Sequence, residues 1–558
     1  MSGSLGLRAV IHFSICLSFL ACAPNDTESP MSVTSDVLGI TDRVVQTSVG
    51  LLEGEYSDSS DEVRVFRGVP YAISPIGENR WRPSKSVVPW DGVRQATEFS
   101  APCWQRPREY SSLYTRGDLA PSEDCLYLNI WTSANEPTAA LPVMLWFHGG
   151  GHNSGAGNPK IFDGTSLSKN GVIVVTINYR LGPFGFLAHP AFTAESAHDS
   201  SGNYGLLDQI TALEWVHNNI AAFGGDPSNV TIFGQSAGSW SVCYLMASPL
   251  ARGLFHKAIG QSGGCFKGER PYLDKTADTI GASQSAHEIG LSVAHELGVT
   301  GTGIEAARSL RAVKAEDILA VALGPGAIID GWVLPKTPRE IFIDGDHNDV
   351  PVIVGAMANE RASLYEGPEP TREEFQASVK REYEKQSAAM LEAYAAELRT
   401  SPLVAEMQLQ GDRTFVWEMR TWATTVENAG NDVYLYFFSH VPPTFRLYVH
   451  DDPDVTLPRG RRGYGAYHSG DLAYVFGNVG LVGLDWSDWD YELSNVISRY
   501  WANFARTGNP NEDGLPSWPR YERDIDQWLE FGDQIQATED VRQEKLDLFD
   551  NYFSFPKF

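Results

Sequence analysis

Val230-Thr231-Ile232-Phe233-Gly234-Gln235-Ser236-Ala237-Gly238 is a short apolar run that ends in Gly-x-Ser-x-Gly. The β-branched and aromatic residues of the run suit a strand buried on both faces. Ala237 to Ala247 then suits a helix that begins directly after it. A serine hydroxyl is a weak nucleophile unless it is exposed, oriented and close to a base. A tight strand-to-helix turn offers Ser236 at its tip, and glycines at 234 and 238 let strand and helix approach around it. The helix N-terminus behind Ser236 also favours the negative charge of a tetrahedral intermediate. Taken alone, the motif fits an ordinary glycine-rich turn. The strand before it and the helix after it select the nucleophile reading.

A second glycine motif has the same context. The run Leu141 to Phe147 reads as a strand and ends in His148-Gly149-Gly150-Gly151. Glycines in that place let backbone N–H groups converge on one oxygen, which is what an oxyanion hole requires. The expected donors are the N–H groups of Gly150, Gly151 and Ala237.

Further continuous apolar runs are Val172 to Ile177, Ala258 to Gln261, Val350 to Gly355 and Val433 to Phe438. Helical patterns lie between them. Leu206, Ile210, Leu213 and Ile220 share one face of the segment Gly205 to Ala222, and Glu373 to Arg399 reads as one long Ala/Glu/Lys-rich helix. Strands alternating with helices predict an α/β fold, a large mostly parallel sheet flanked by helices. Val44 to Pro70 is punctuated by Gly and turn residues and predicts a small N-terminal antiparallel arrangement before the main sheet.

The formal net charge is -27, which argues against nucleic acid as a partner and suits a solvated acidic shell. The first 23 residues read as an export signal, with Arg8 ahead of the apolar run Ala9 to Ala21. Two cleavage readings stay open. Ala21-Cys22-Ala23 is a small-x-small site, and Phe19-Leu20-Ala21-Cys22 is similar to a bacterial lipobox that would lipidate Cys22. Residues 24–40 read as a flexible tether, and no long Pro/Gly/Ser linker divides the chain after residue 40. No other segment has the length and apolarity of a membrane span. Beyond Cys16 and Cys22, the cysteines are Cys103, Cys125, Cys243 and Cys265, and their spacing allows three pairings. No cysteine–histidine cluster has zinc spacing and no dinucleotide or Walker loop is present, so no metal or cofactor is expected.

Longer motifs carry a specific resemblance. Phe223-Gly224-Gly225-Asp226-Pro227 followed by Val230 to Gly238, and Ser122-Glu123-Asp124-Cys125-Leu126-Tyr127-Leu128-Asn129, resemble the two signatures of the type-B carboxylesterase and cholinesterase-like family. Asn178-Tyr179-Arg180, Asn203 to Gln209 and Tyr500 to Ala505 extend the likeness from about Val44 onward. The resemblance implies the α/β-hydrolase fold, with residues 41–558 as a single catalytic domain. It implies His468, in Gly465-Ala466-Tyr467-His468-Ser469-Gly470-Asp471, as the base, with Ser469 and Asp471 standing where Gly and Glu are usual. It implies Glu360, in the segment after Val350 to Gly355, as the acid that completes the order Ser, acid, His. It further implies a Cys103–Cys125 disulfide and a supporting role for Ser262 beside the acid and histidine. Cys243 and Cys265 are left open, either paired or reduced.

These parts imply an exported serine carboxylesterase that forms an acyl-enzyme on Ser236. Choline esters fit poorly. Gln235 stands where cholinesterases carry Glu, and Trp104 is the only Trp between Cys103 and Cys125. His152 and Asn153 replace the aromatics that usually follow the oxyanion glycines. The alternative readings are a lipase or detoxifying hydrolase of bulky esters, and a non-catalytic binding protein on the same fold. Neither the ester substrate nor the oligomeric state follows from the sequence.

Overall fold

Alternation along the buried strands divides the core in two. Val143, Leu145 and Phe147 join one apolar cluster, whereas Met144 and Trp146 join another. Val433, Leu435 and Phe437 split in the same way from Tyr434, Tyr436 and Phe438. Side chains alternate across a strand, so two clusters mean a sheet covered on both faces.

The computed structural model describes residues 43–106, 119–267, 270–275, 284–322, 324, 326–365, 367–443, 465–481 and 486–556. The export signal, Cys22 and the tether lie outside the described residues. Arg43–Phe558 forms one compact unit.

The strands are β1 (Val44–Thr47), β2 (Gly50–Glu53), β3 (Glu55–Ser57), β4 (Ser60–Pro70), β5 (Val93–Gln95), β6 (Tyr127–Thr132) and β7 (Leu141–Phe147). They continue as β8 (Ile173–Ile177), β9 (Gly225–Gln235), β10 (Lys257–Gln261), β11 (Val352–Met357), β12 (Val433–Phe438), β13 (Gln527–Phe531) and β14 (Ile535–Glu539). Eleven of them form the large sheet in the order β14-β13-β12-β11-β10-β9-β7-β8-β6-β4-β3. Neighbours from β8 to β13 pair parallel, and both flanks pair antiparallel. The small N-terminal sheet is the antiparallel pair β1–β2 with β5 added parallel to β2. The rest of Val44 to Pro70, β3 and β4, joins the edge of the large sheet.

One face is covered by the helices Tyr204–Asn219 and Ala237–Ala247, whose buried residues belong to the first cluster. Helix Asp488–Thr507 covers the other with Leu493, Ile497, Trp501 and Phe504. The long helix expected over Glu373 to Arg399 is broken. It runs as Arg372–Tyr383, a 3-10 turn at Glu384–Gln386, Ser387–Ala393 and Ala395–Thr400. Glu384 at φ 39° turns the chain, and beyond the turn the Tyr394 hydroxyl donates to the buried carboxylate of Asp412 at 2.9 Å. A composition without Gly or Pro carries no sign of this break.

Cys103 pairs with Cys125 as expected, and Cys243 pairs with Cys265. The second pair links the helix that follows β9 to the segment that follows β10. Among the described residues, no helix is long and apolar enough to cross a membrane.

The segment after β8 is anchored by a buried ion pair. Arg180 donates from Nε and Nη2 to Asp208 at 2.8 and 2.7 Å, and its backbone N–H adds a bond of 3.0 Å to the same carboxylate. Removing one partner strands a charge in the interior. Asp208→Ala is therefore expected to lower stability by about 3–5 kcal/mol, read by urea unfolding against the parent protein. A loss below 1 kcal/mol, on the order of an exposed pair, would contradict this account.

Candidate active site

Chain direction across the sheet reverses between β7 and β9. From β7 the chain passes to β8 on one side, and from β9 to β10 on the other. A crevice opens at the carboxyl ends of strands at such a switch point. Both glycine motifs lie there.

Ser236 forms the turn between β9 and helix Ala237–Ala247 at φ 58° and ψ -123°. That conformation costs a non-glycine residue about 1–3 kcal/mol, so the surroundings must hold it. Its N–H donates to Gln261 O at 2.9 Å, and its carbonyl accepts from Trp240 N–H at 3.0 Å. A Cβ at Gly238 would run into the carbonyl oxygen of Phe147, the last residue of β7. Only glycine lets the helix start this close to the neighbouring strand.

The loop after β7 bends back at Gly150, φ 112°, where a Cβ would collide with the Ser154 carbonyl. Among the described residues, the N–H groups of Gly150, Gly151 and Ala237 donate to none. Ala237 is wholly buried and is the first residue of its helix, where N–H groups lack intrahelical partners.

Glu360 and His468 come together across 108 positions of sequence, with Glu360 Oε2 2.5 Å from His468 Nδ1. Both are nearly inaccessible. Glu360 Oε1 accepts from Met357 N–H at 2.8 Å, so the carboxylate is held at both oxygens. Asn359 docks the two loops on each other. Its N–H donates to Ala466 O at 2.9 Å, and its Oδ1 accepts from Ala466 N–H at 3.0 Å. The Phe415 ring packs 4.6 Å from the His468 ring. Arg361 lines a separate cavity with Glu382 and Glu406.

At its other nitrogen, His468 Nε2 lies 3.1 Å from the side-chain nitrogen of Gln235, the residue before Ser236. An amide N–H can donate only to a ring nitrogen that carries a lone pair. With Nδ1–H given to Glu360, the neutral imidazole presents that lone pair at Nε2, the tautomer a general base needs.

Ser262 differs from expectation. Its hydroxyl is buried without a hydrogen-bond partner, and so makes no polar contact with Glu360 or His468. The residue ends β10 at φ 54°, and its neighbour Gln261 reaches under the site instead. Gln261 Nε2 donates to Asp471 Oδ2 at 2.8 Å, and Tyr436 OH donates to the same oxygen at 2.9 Å. Burial, offset by these two bonds and reinforced by the charge of Glu360, lifts the Asp471 carboxyl to about 6. Gln261, Tyr436 and Asn359 were not singled out from the sequence as site residues. Their sole signal was adjacency, at the ends of strands or beside Glu360.

The histidines after β7 are structural neighbours of the crevice. His148 stacks on Tyr179 at 4.4 Å, and burial takes it down to about 4. His152 stacks on Phe186 at 4.8 Å and bonds Ser241 Oγ at 3.0 Å. Burial, then the nearby charge of Arg270, takes His152 down to about 3. Both are neutral rings at neutral pH. Among the described residues, no group of His, Cys, Asp and Glu is arranged to hold a metal.

Known proteins resemble this chain over most of its length. The pattern of the carboxylesterase family matches residues 41–549. Fumonisin B1 esterase of Sphingopyxis macrogoltabida is 33% identical over 507 residues, covering 89% of this chain and 87% of that protein. Liver carboxylesterase of Sus scrofa is 34% identical over 561 residues, covering 92% and 93%. Para-nitrobenzyl esterase of Bacillus subtilis (strain 168) is 32% identical over 511 residues, covering 91% and 98%. A solved thermophilic PNB esterase superposes with a TM-score of 0.75 at 29% identity, over 91% of this chain and 100% of the other. With the family pattern spanning nearly all of the described residues, the chain belongs to the carboxylesterase family.

Proposed function

We propose that this carboxylesterase cleaves carboxylic esters through an acyl-enzyme on Ser236, with His468 as the base and Glu360 as its orienting acid. The observation that carries the reading is the buried Glu360–His468 bond, set beside the Ser236 turn through Gln235. His468 takes the Ser236 proton as Ser236 attacks the ester carbonyl. The developing oxyanion is met by the N–H groups of Gly150, Gly151 and Ala237. The alcohol leaves with the proton from His468, and water activated by the same ring releases the acid. Glu360 keeps Nδ1–H fixed and stabilises the imidazolium that forms at each step.

The chain is proposed to act after export, in an extracellular or periplasmic setting, or at an outer membrane if Cys22 is lipidated. Two disulfides support that setting, because disulfides persist in oxidising compartments. The name of the para-nitrobenzyl esterase favours benzyl-type esters among the first substrates.

Hydrolysis of p-nitrophenyl butyrate tests the triad. Ser236→Ala and Glu360→Gln are each expected to lower kcat by about 10,000-fold, the scale seen when serine triads lose a member or its charge. Retention of a tenth of the activity in either variant would remove that residue from the mechanism. Gln235→Glu tests the base from its other side. A carboxylate facing Nε2 favours the imidazolium, so the acid limb of the kcat/KM profile is expected to move up by about one pH unit. An unmoved limb would mean that residue 235 does not face the working base.

A further inference from the structure

We infer that Gln105 is a positioning residue for the oxyanion donors Gly150 and Gly151, acting on the rate without touching the ester. This rests on the esterase reading and adds a residue to it. Gln105 lies two residues beyond Cys103, in the loop that the Cys103–Cys125 disulfide closes. It is buried, and its side chain crosses to the far end of the loop that carries the oxyanion glycines. Gly155 N–H donates to Gln105 Oε1 at 2.9 Å, and Gln105 Nε2 donates back to Gly155 O at 2.8 Å. The same Nε2 donates to Cys103 O at 3.0 Å. Each partner is a backbone N–H or a backbone carbonyl with a single role, so the amide is fixed in one orientation. Gln105 thus bonds both backbone groups of Gly155, as an antiparallel strand neighbour would.

Peptide planarity carries this grip to the donors. In a trans peptide the N–H points away from the carbonyl of the same plane, so fixing the carbonyl aims the N–H. The N–H of Gly151 shares its plane with the Gly150 carbonyl, which accepts from Asn153 N–H at 3.0 Å and from Ser154 N–H at 3.1 Å. The N–H of Gly150 shares its plane with the Gly149 carbonyl, which accepts from His148 Nδ1–H at 2.9 Å. Gly155 packs against this second plane: a Cβ on it would strike the Gly149 carbonyl oxygen and the His148 ring. The Ser154 carbonyl shares a plane with the Gly155 N–H that Gln105 holds, and it lies so close to Gly150 that a Cβ there would collide with it. Without Gln105, the peptide between Ser154 and Gly155 loses the bond that orients it, and both donor planes lose their support. The third donor, Ala237, is placed independently by the contact of its helix with β7. The loss is therefore partial.

Hydrolysis of p-nitrophenyl butyrate and inhibition by a butyl trifluoromethyl ketone test this. Ser236 Oγ bonds the ketone carbon, the Ser236 proton passes to His468, and the ketone oxygen becomes the oxyanion. Gln105→Met keeps the length of the side chain and loses both bonds to Gly155. Its kcat is expected to fall by about 10- to 100-fold with KM little changed, short of the roughly 100- to 1,000-fold loss of a whole oxyanion donor. Its inhibition constant for the ketone is expected to rise by a similar factor, whereas that for the product butyrate stays as in the parent. Inhibition constants do not depend on how much of a variant folds, so poor folding does not imitate this pattern. Gln105→Glu keeps the acceptor for Gly155 N–H and should retain more of kcat than Gln105→Met. Unchanged kcat and ketone affinity in Gln105→Met overturn the inference, and so does an equal loss of ketone and butyrate affinity. Ser236→Ala separates the two readings. If it retains activity, the esterase reading fails and takes the inference with it. If it is inactive while Gln105→Met behaves as the parent, the inference fails alone.

Discussion

The architecture of the site depends on one steric fact, the contact of the helix after β9 with the end of β7. Gly238 lies where any side chain would strike the Phe147 carbonyl. That closeness holds Ser236 in a backbone conformation which a non-glycine residue does not keep unaided. It also puts the N–H of Ala237 beside the loop that carries Gly150 and Gly151. The proposed nucleophile and oxyanion donors are thus set by backbone packing. Little needs to reorganise when charge develops, which is the condition for strong electrostatic stabilisation.

The base is supported differently. His468 is far from any strand end in sequence, and its loop is pinned by Asn359, Glu360 and Gln235 from three directions. Beneath it lies a layer of Gln261, Tyr436 and Asp471, with the aspartate shifted toward its protonated form. A carboxyl raised to about 6 beneath Glu360 and His468 is a source of pH sensitivity. The sign is fixed by burial. Asp471 is easier to accommodate when protonated, so its contribution to the folded state is full below the ordinary carboxylate value of 3.8 and is lost as the pH rises from there through about 6.

The parts legible from sequence are those that local chemistry dictates. Continuous apolar runs marked β7, β8, β9, β10, β11 and β12 to within a few residues, because strands covered on both faces have no polar alternation to blur them. The two glycine motifs were legible because a close backbone approach admits no other residue. Contacts made across long sequence distances were not. Gln261 under Asp471, the docking role of Asn359 and the Cys243–Cys265 pair arise only when the sheet brings distant strand ends together. The break at Glu384 escaped notice for a related reason, since tertiary burial of Tyr394 overrides a composition that favours helix. Ser262 makes no side-chain hydrogen bond, whereas Gln261, one residue earlier, reaches Asp471.

Neither disulfide lies within a strand of the large sheet. The consequence is practical. Material produced in a reducing cytoplasm would keep the sheet and the Ser236 turn, because both are held by packing. The segment that begins at Cys265 would then be untethered from the helix that follows β9. Activity measured on such a preparation would describe a looser surround of the helix that carries Cys243 than that of the oxidised protein. The oxidation state of a sample therefore belongs beside every specificity constant recorded for this chain.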